Sequence, residues 1–101
     1  MRTRPTALAW IDPEVSTAPN WDAAQVKRLA RHLGYALVWP VPHPTIPLID
    51  QIRTADVDAI VMPTPAHLDA RTLDLVMHLA DVETACPRLS FARWNASGAR
   101  A

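Results

Sequence analysis

A short apolar run, followed at once by a Pro-rich turn and a helical pattern, constrains this chain more than any other feature. The run is residues 57–62, the turn is residues 63–67, and Leu68 and Leu73 begin a helical stripe behind it. A strand, a tight turn and a helix in that order form the repeating unit of a parallel α/β sheet. Such sheets place their chemistry in the turns at the carboxyl ends of the strands. This turn carries one titratable side chain, His67, and no carboxylate, so the pattern predicts the fold more sharply than the function.

Length and charge indicate a single domain without a general affinity for nucleic acid. The 101 residues allow one domain, with a core expected at about residues 6–93 and a flexible C-terminal tail at residues 95–101. Ten basic and ten acidic residues cancel, whereas nucleic-acid binders usually carry a basic excess. The single cysteine, Cys86, cannot form a disulfide within the chain and favours a reducing, cytoplasmic location. The apolar run after the basic N-terminus is too short for a signal peptide or a membrane span.

Strand and helix patterns alternate along the whole chain. The predicted elements are a strand at residues 6–11, a helix from Trp21 with Asn20 as its N-cap, a strand at residues 35–39, a proline-rich loop at residues 40–47, a short helix at residues 47–53, a strand at residues 57–62, a helix at residues 66–84 and a strand at residues 88–93. Gly34 supplies the left-handed position after the first helix. We therefore expect an α/β fold, a three-layer sandwich around a four-stranded parallel sheet in the order 2-1-3-4.

Three segments of this pattern resemble the catalytic domain of serine recombinases, the resolvase and invertase family. They are the strand Ala7-Leu8-Ala9-Trp10-Ile11 with Val15-Ser16-Thr17 and Gln25 behind it, the segment Leu29-Ala30-Arg31-His32-Leu33-Gly34-Tyr35-Ala36-Leu37-Val38, and Asp56-Val57-Asp58-Ala59-Ile60-Val61-Met62 with Leu73-Asp74-Leu75. In the family, the serine of a Val-Ser-Thr triplet is the nucleophile, and a glutamine follows it at the same interval. The resemblance spans residues 7–93. It implies a resolvase-like fold with Ser16 at the position of the nucleophile.

The resemblance also implies that the cations of the catalytic site are missing. In the family the first strand leads into an arginine, whereas Asp12 stands at that place here. After the third strand the family carries an Asp-Arg pair and a further arginine, and Ala66, His67 and Ala70 occupy those positions. Phosphoryl transfer of the recombinase type needs arginines to stabilise negative charge on the phosphate oxygens. The comparison therefore implies a retained scaffold with a degenerate site.

Ser16, His67 and Asp12 are the candidate catalytic residues, because all three follow carboxyl ends of predicted strands. A serine nucleophile needs a base, and its transition state needs nearby positive charge. A relay of Ser16, His67 and Asp12 would supply the base, but the carboxylates of Asp12 and Glu14 would repel a phosphodiester. The alternative is that Ser16 is a polar loop or capping residue and that His67 is a partly exposed residue of the first helical turn. Catalytic triads are defined by geometry, so the sequence leaves both interpretations open.

The sequence predicts neither a cofactor nor a metal site. Only two glycines are present, so the chain has no Gly-rich phosphate-binding loop. The four histidines lie on separate predicted elements. No pair of them has the spacing of metal ligands on one helix.

Tryptophans and prolines mark a candidate binding surface. Its predicted members are Trp21, Trp39, Pro42, His43, Pro44 and Trp94. Aromatic residues are enriched at protein interfaces, and the alternative is that the tryptophans cover a small core. A second candidate surface is the basic helix face formed by Lys27, Arg28 and Arg31, which would contact DNA.

The combined pattern predicts a non-catalytic, resolvase-like interaction module. We expect a protein partner linked to DNA transactions, or a second copy of the chain, and no membrane partner. Two alternatives stay open. One is a divergent recombinase or other small-substrate enzyme that uses Ser16, and the other is a DNA-binding accessory protein that uses Lys27, Arg28 and Arg31.

Overall fold

Strands and helices alternate through most of the computed structural model, which describes residues 4–40 and 46–94. These residues form β1 (Thr6–Ala9), α1 (Pro19–Leu33), β2 (Ala36–Val38), α2 (Leu48–Ala55), β3 (Ala59–Met62), α3 (Ala70–Met77), β4 (Asp81–Ala85) and β5 (Arg88–Phe91). A 3₁₀ turn at Pro65–His67 links β3 to α3. The flexible tail predicted at residues 95–101 lies outside the described residues.

Within the described residues, the strands form one mixed sheet in the order β2-β1-β3-β4-β5. Strand β1 pairs in parallel with β2 and with β3, and β3 pairs in parallel with β4. Strand β5 is antiparallel to β4, and the hairpin between them contains the cis peptide bond Cys86–Pro87. The α/β class is therefore confirmed. The predicted four-stranded parallel sheet is corrected to a five-stranded mixed one.

Helices cover both faces of the sheet, because successive strand residues point to opposite faces. The layer under α1 contains Ala7, Ala9, Val26, Leu29, Ala59 and Val61. The layer under α2 and α3 contains Leu8, Leu48, Ile52, Val57, Ile60, Met62, Val76, Ala80 and Val82. All four residues of β3 are buried, which explains why its sequence is a continuous apolar run rather than an alternating one.

The long helix predicted at residues 66–84 is wrong. It is replaced by the 3₁₀ turn and by α3, which ends at Met77. The N–H of Leu79 donates to the carbonyl of Val76 at 2.8 Å, and this three-residue spacing tightens and ends the last turn. The start of α3 is set instead by Asp69, whose side chain accepts a hydrogen bond of 2.7 Å from the N–H of Thr72.

Residues 81–85, predicted as the end of that helix, form the fourth strand instead. Val82 and Thr84 are β-branched and fully buried, a combination that suits a central strand. The missed strand at residues 81–85 also explains the error at residues 88–93. The strand predicted there as a fourth, parallel strand is the fifth one, β5, and pairs antiparallel with β4.

The ends of α1 show one prediction that fails and one that is confirmed. The helix begins at Pro19 with no side-chain cap, so Asn20 is not its N-cap. Proline suits the first helical position because its φ is preset and it has no N–H to satisfy. At the other end, Gly34 has a φ of 83°, the left-handed conformation expected there.

We expect Ile60→Ala to lower the free energy of unfolding by about 2–5 kcal/mol, because the side chain is fully buried and its loss leaves a cavity. The matched control is Leu75→Ala, whose parent side chain is 48% exposed. That substitution should cost less than about 1 kcal/mol. Urea unfolding followed by circular dichroism measures both changes. Equal losses in the two variants would contradict the burial of β3 described above.

Candidate functional site

The crevice at the carboxyl ends of β1 and β3 is the candidate site. Strand β1 continues through α1 to β2 on one side of the sheet, while β3 lies on its other side. The connections that leave β1 and β3 therefore diverge, and open α/β sheets bind ligands at such a switch point. The residues available for chemistry are those of the two loops, 10–18 and 63–69.

Two hydrogen bonds join the two loops, and a third lies between the strand ends beside them. The N–H of Trp10 donates to the carbonyl of Val61 at 2.9 Å, which extends the pairing of β1 and β3. The indole Nε1 of Trp10 donates to the carbonyl of His67 at 3.1 Å. The N–H of Asp12 donates to Nδ1 of His67 at 2.8 Å. His67 is thus fixed by both its backbone and its side chain.

His67 is buried and neutral in this arrangement. Only 4% of its surface is exposed, so the expectation of a partly exposed residue is wrong. Because Nδ1 accepts the N–H of Asp12, the neutral ring carries its proton on Nε2. Burial lowers the pKa of His67, while the negative charges of Asp22 and Asp12 oppose that change.

The loop after β1 is organised around Asp12. The backbone carbonyl of Asp12 accepts the N–H groups of Val15 and Ser16 at 3.0 and 2.9 Å. Its carboxylate accepts the N–H of Glu14 at 2.9 Å. Asp12 therefore closes a turn at residues 12–16, and its carboxylate is used in that turn.

The hydroxyl of Ser16 donates to a carboxylate oxygen of Asp22 at 2.5 Å. Asp22 lies in the first turn of α1, and sequence reasoning did not select it as a site residue. A local sequence signal for this contact exists. Asp22 comes six residues after Ser16, and the proline that begins α1 lies between them. This contact anchors the turn at residues 12–16 to α1.

The structure brings Ser16, His67 and Asp12 to one edge of the sheet but bonds them differently from a relay. Asp12 meets His67 through its backbone N–H rather than through its carboxylate. Ser16 donates to Asp22 rather than to the imidazole of His67. In a Ser-His-Asp triad, the histidine accepts the serine proton and the carboxylate accepts the histidine N–H. Neither contact is made in this way.

Trp21 and Trp39 lie on the surface at the carboxyl edge of the parallel strands. Trp21 is 66% exposed and Trp39 is 44% exposed, so neither covers the core. Nζ of Lys27 lies 5.9 Å from the centre of the Trp39 ring, a cation–π contact. Pro42, His43 and Pro44, the other predicted members of this surface, lie outside the described residues.

Trp94 lies at the opposite, amino edge of the parallel strands. It follows the antiparallel β5, and its N–H donates to the carbonyl of Met77 at the end of α3 at 2.7 Å. Its indole Nε1 donates to the carboxylate of Asp74 at 3.2 Å, and its ring centre is 6.3 Å from that of His78. The three predicted surface tryptophans therefore do not form one patch.

The basic side chains of α1 lie on one side of the helix but differ in their surroundings. Lys27, Arg28 and Arg31 are all exposed. Lys27 is directed to Trp39, whereas Arg28 lines a cavity on the side of the β4–β5 hairpin. Lys27 and Arg31 are four residues apart and Arg28 lies about 100° from Lys27, so the three occupy neighbouring positions on the helix, and a DNA contact there stays a prediction.

Comparisons with protein-family models, with curated proteins and with solved structures found no match to this chain. Among the described residues, no three or more His, Cys, Asp or Glu side chains are grouped so that they could hold a metal ion. Across residues 4–40 and 46–94, every helix is too short or too polar to cross a bilayer.

We expect the free energy of unfolding to decrease as the pH is lowered below about 6.5, the ordinary pKa of histidine. Protonation of His67 at Nδ1 breaks the hydrogen bond that it accepts from the N–H of Asp12. Folding lowers the pKa of His67, so the unfolded chain binds more protons than the folded protein in that range. The folded protein is therefore destabilised as the pH falls. His67→Asn keeps an acceptor and cannot titrate, so its unfolding midpoint should depend less on pH. His32→Asn, at an exposed histidine, should behave like the parent protein. Identical pH profiles for the parent and His67→Asn would contradict this assignment.

Proposed function

We propose that this chain is a non-catalytic, resolvase-like interaction module whose carboxyl edge binds a protein partner. The resemblance to serine recombinases makes a partner that acts on DNA the class we expect. The observation that carries the proposal is the hydrogen bond from Ser16 to Asp22, at the position where that family has its nucleophile.

The charges around Ser16 oppose phosphoryl transfer. Asp22 accepts the hydrogen bond of the hydroxyl, and Asp12 and Glu14 add two carboxylates in the loop that carries Ser16. Within residues 4–40 and 46–94, no arginine or lysine forms an ion pair or hydrogen bond with Ser16, Asp22 or His67. A phosphodiester is itself an anion, so it is repelled here, and the charge that develops in its transition state has no stabilising cation.

His67 is not available as the base for Ser16. Its Nδ1 lone pair already accepts the N–H of Asp12, and its Nε2 carries the proton of the neutral ring. To act as a base it would have to release the loop after β1. A role in holding that loop agrees better with its burial.

The exposed apolar side chains at the same edge support protein binding. Val15, within the turn at residues 12–16, is 36% exposed, and Trp21, in the first turn of α1, is 66% exposed. Large aromatic side chains are enriched among the residues that dominate binding energy at protein interfaces. The neighbouring carboxylates favour a partner segment that combines apolar and basic residues, because unlike charges attract and orient the approach.

One observation favours a second candidate function. The 2.5 Å contact between Ser16 and Asp22 lies at a switch point, and a carboxylate there could accept the proton of a serine nucleophile. A divergent enzyme acting on a small uncharged substrate would use that pair. It would lack a cation for the developing oxyanion, which is why we prefer the binding module.

We expect neither the parent protein nor Ser16→Ala to cleave or exchange strands of supercoiled DNA, and neither to form a covalent adduct with a fluorophosphonate. Loss of the bond to Asp22 should lower the free energy of unfolding of Ser16→Ala by about 1–3 kcal/mol, as for hydrogen bonds to charged groups. Thr17→Ala is the neighbouring control. Cleavage or adduct formation that disappears in Ser16→Ala would establish the catalytic alternative and reject this proposal.

We expect Trp21→Ala to weaken binding of the native partner by about tenfold or more, as for an aromatic anchor worth ~1.4 kcal/mol or more. Leu75→Ala is the matched control, because Leu75 is similarly exposed at 48% but lies on α3. The partner is isolated on the parent protein, and its affinity for each variant is measured by titration. Equal affinity for the parent and Trp21→Ala would place the interface elsewhere.

A further inference from the structure

A cavity of about 290 Å³ lies between α1 and the β4–β5 hairpin, away from the crevice described above. Its lining residues are Gln25, Arg28, Leu29, His32, Ala85 and Arg88. Leu29 and Ala85 also belong to or pack on the core layer under α1, so they form an apolar floor. The other four residues contribute polar groups. An apolar floor with a few convergent polar groups is the usual composition of a small-molecule site.

Three of the polar groups come from a single stripe of α1. Gln25, Arg28 and His32 are separated by three and four residues, so they project from one side of the helix. None of them makes a side-chain hydrogen bond or ion pair with another described residue. Their donors are directed to the cavity region and have no partner among residues 4–40 and 46–94.

The cavity wall carries one positive charge that no described acidic residue compensates. Nη2 of Arg88 lies 2.9 Å from Oε1 of Glu83, whose side chain is 9% exposed. That oxygen makes no hydrogen bond of good geometry, so the contact is an ion pair in which the two charges cancel. Nη1 of Arg88 donates to the carbonyl of Leu89 at 2.6 Å, which holds this guanidinium against the hairpin. The charge of Arg28 is left without a counterion among the described residues.

We propose that this cavity binds a small monocarboxylate with an apolar body. The carboxylate meets the guanidinium of Arg28, which offers paired donors to the two oxygens. The apolar body lies on Leu29 and Ala85, and one negative charge neutralises the excess charge of the wall. The cavity is open to solvent, and its volume of about 290 Å³ leaves room for the body of an aromatic or branched acid on this floor. The site is independent of the function proposed for the carboxyl edge.

The test uses benzoate as the probe, with benzylamine and benzyl alcohol as cationic and neutral analogues of similar size. Titrations of the full chain are followed by NMR at the Leu29 and Ala85 methyl groups. We expect saturable shifts with benzoate, and at least about tenfold weaker binding of the two analogues. In Arg28→Gln, benzoate binding should weaken about ten- to hundredfold, as for a charge-assisted hydrogen bond. Arg31→Gln, one turn apart on the same helix but outside the cavity lining, should bind as the parent does.

Three results would overturn the proposal: no saturable shift with benzoate, equal binding of benzylamine, or equal weakening in Arg28→Gln and Arg31→Gln. The last result would indicate general attraction by a basic surface. Titration of a short DNA duplex then tests whether that basic surface binds nucleic acid, because phosphate contacts make the affinity depend steeply on salt concentration. Both parent arginines are exposed, so the two variants should keep the parent melting temperature, which confirms that any change reflects binding.

Discussion

Burial of β3 is the constraint on which the rest of the structure depends. The strand is paired in parallel on both sides and none of its residues is exposed. Parallel strands are joined by crossover helices, and those helices must cover both faces. Val61 therefore packs under α1, while Ile60 packs under α2 and α3. The same pairing sets the carboxyl ends of β1 and β3 side by side, so the crevice that holds Asp12 and His67 follows from how the core is filled.

At that crevice the side chains of Trp10, Ser16 and His67 hold the loops together through hydrogen bonds. An imidazole that accepts a backbone N–H and is itself buried stays neutral. A serine hydroxyl that donates to a carboxylate likewise has its proton engaged. Each interaction satisfies a polar group that would otherwise be costly to bury.

The sequence pattern predicted correctly those elements whose conformation depends mainly on neighbouring residues in the chain. The apolar run at residues 57–62 and the left-handed Gly34 are of this kind. Residues 81–85 were missed because Val76 and Ala80 continue a helical stripe up to them, whereas pairing with β3 and β5 favours the strand. The burial of His67 was missed for a similar reason, since its partner Asp12 is 55 residues away. Sequence alone does not show which loops meet at a sheet edge.

The chain is neutral overall, but α1 separates its charges. Asp22 in the first turn lies near the carboxylates of the preceding loop, and Arg31 lies in the last turn, as the helix dipole favours. The acidic residue Asp22 and the cavity residue Arg28 are six residues apart, which is roughly 9 Å along the helix axis. Charges at that separation are largely screened at physiological salt, where the Debye length is about 8 Å. An acidic, aromatic edge and a cationic cavity can therefore act independently on one helix, and a net charge of zero excludes neither.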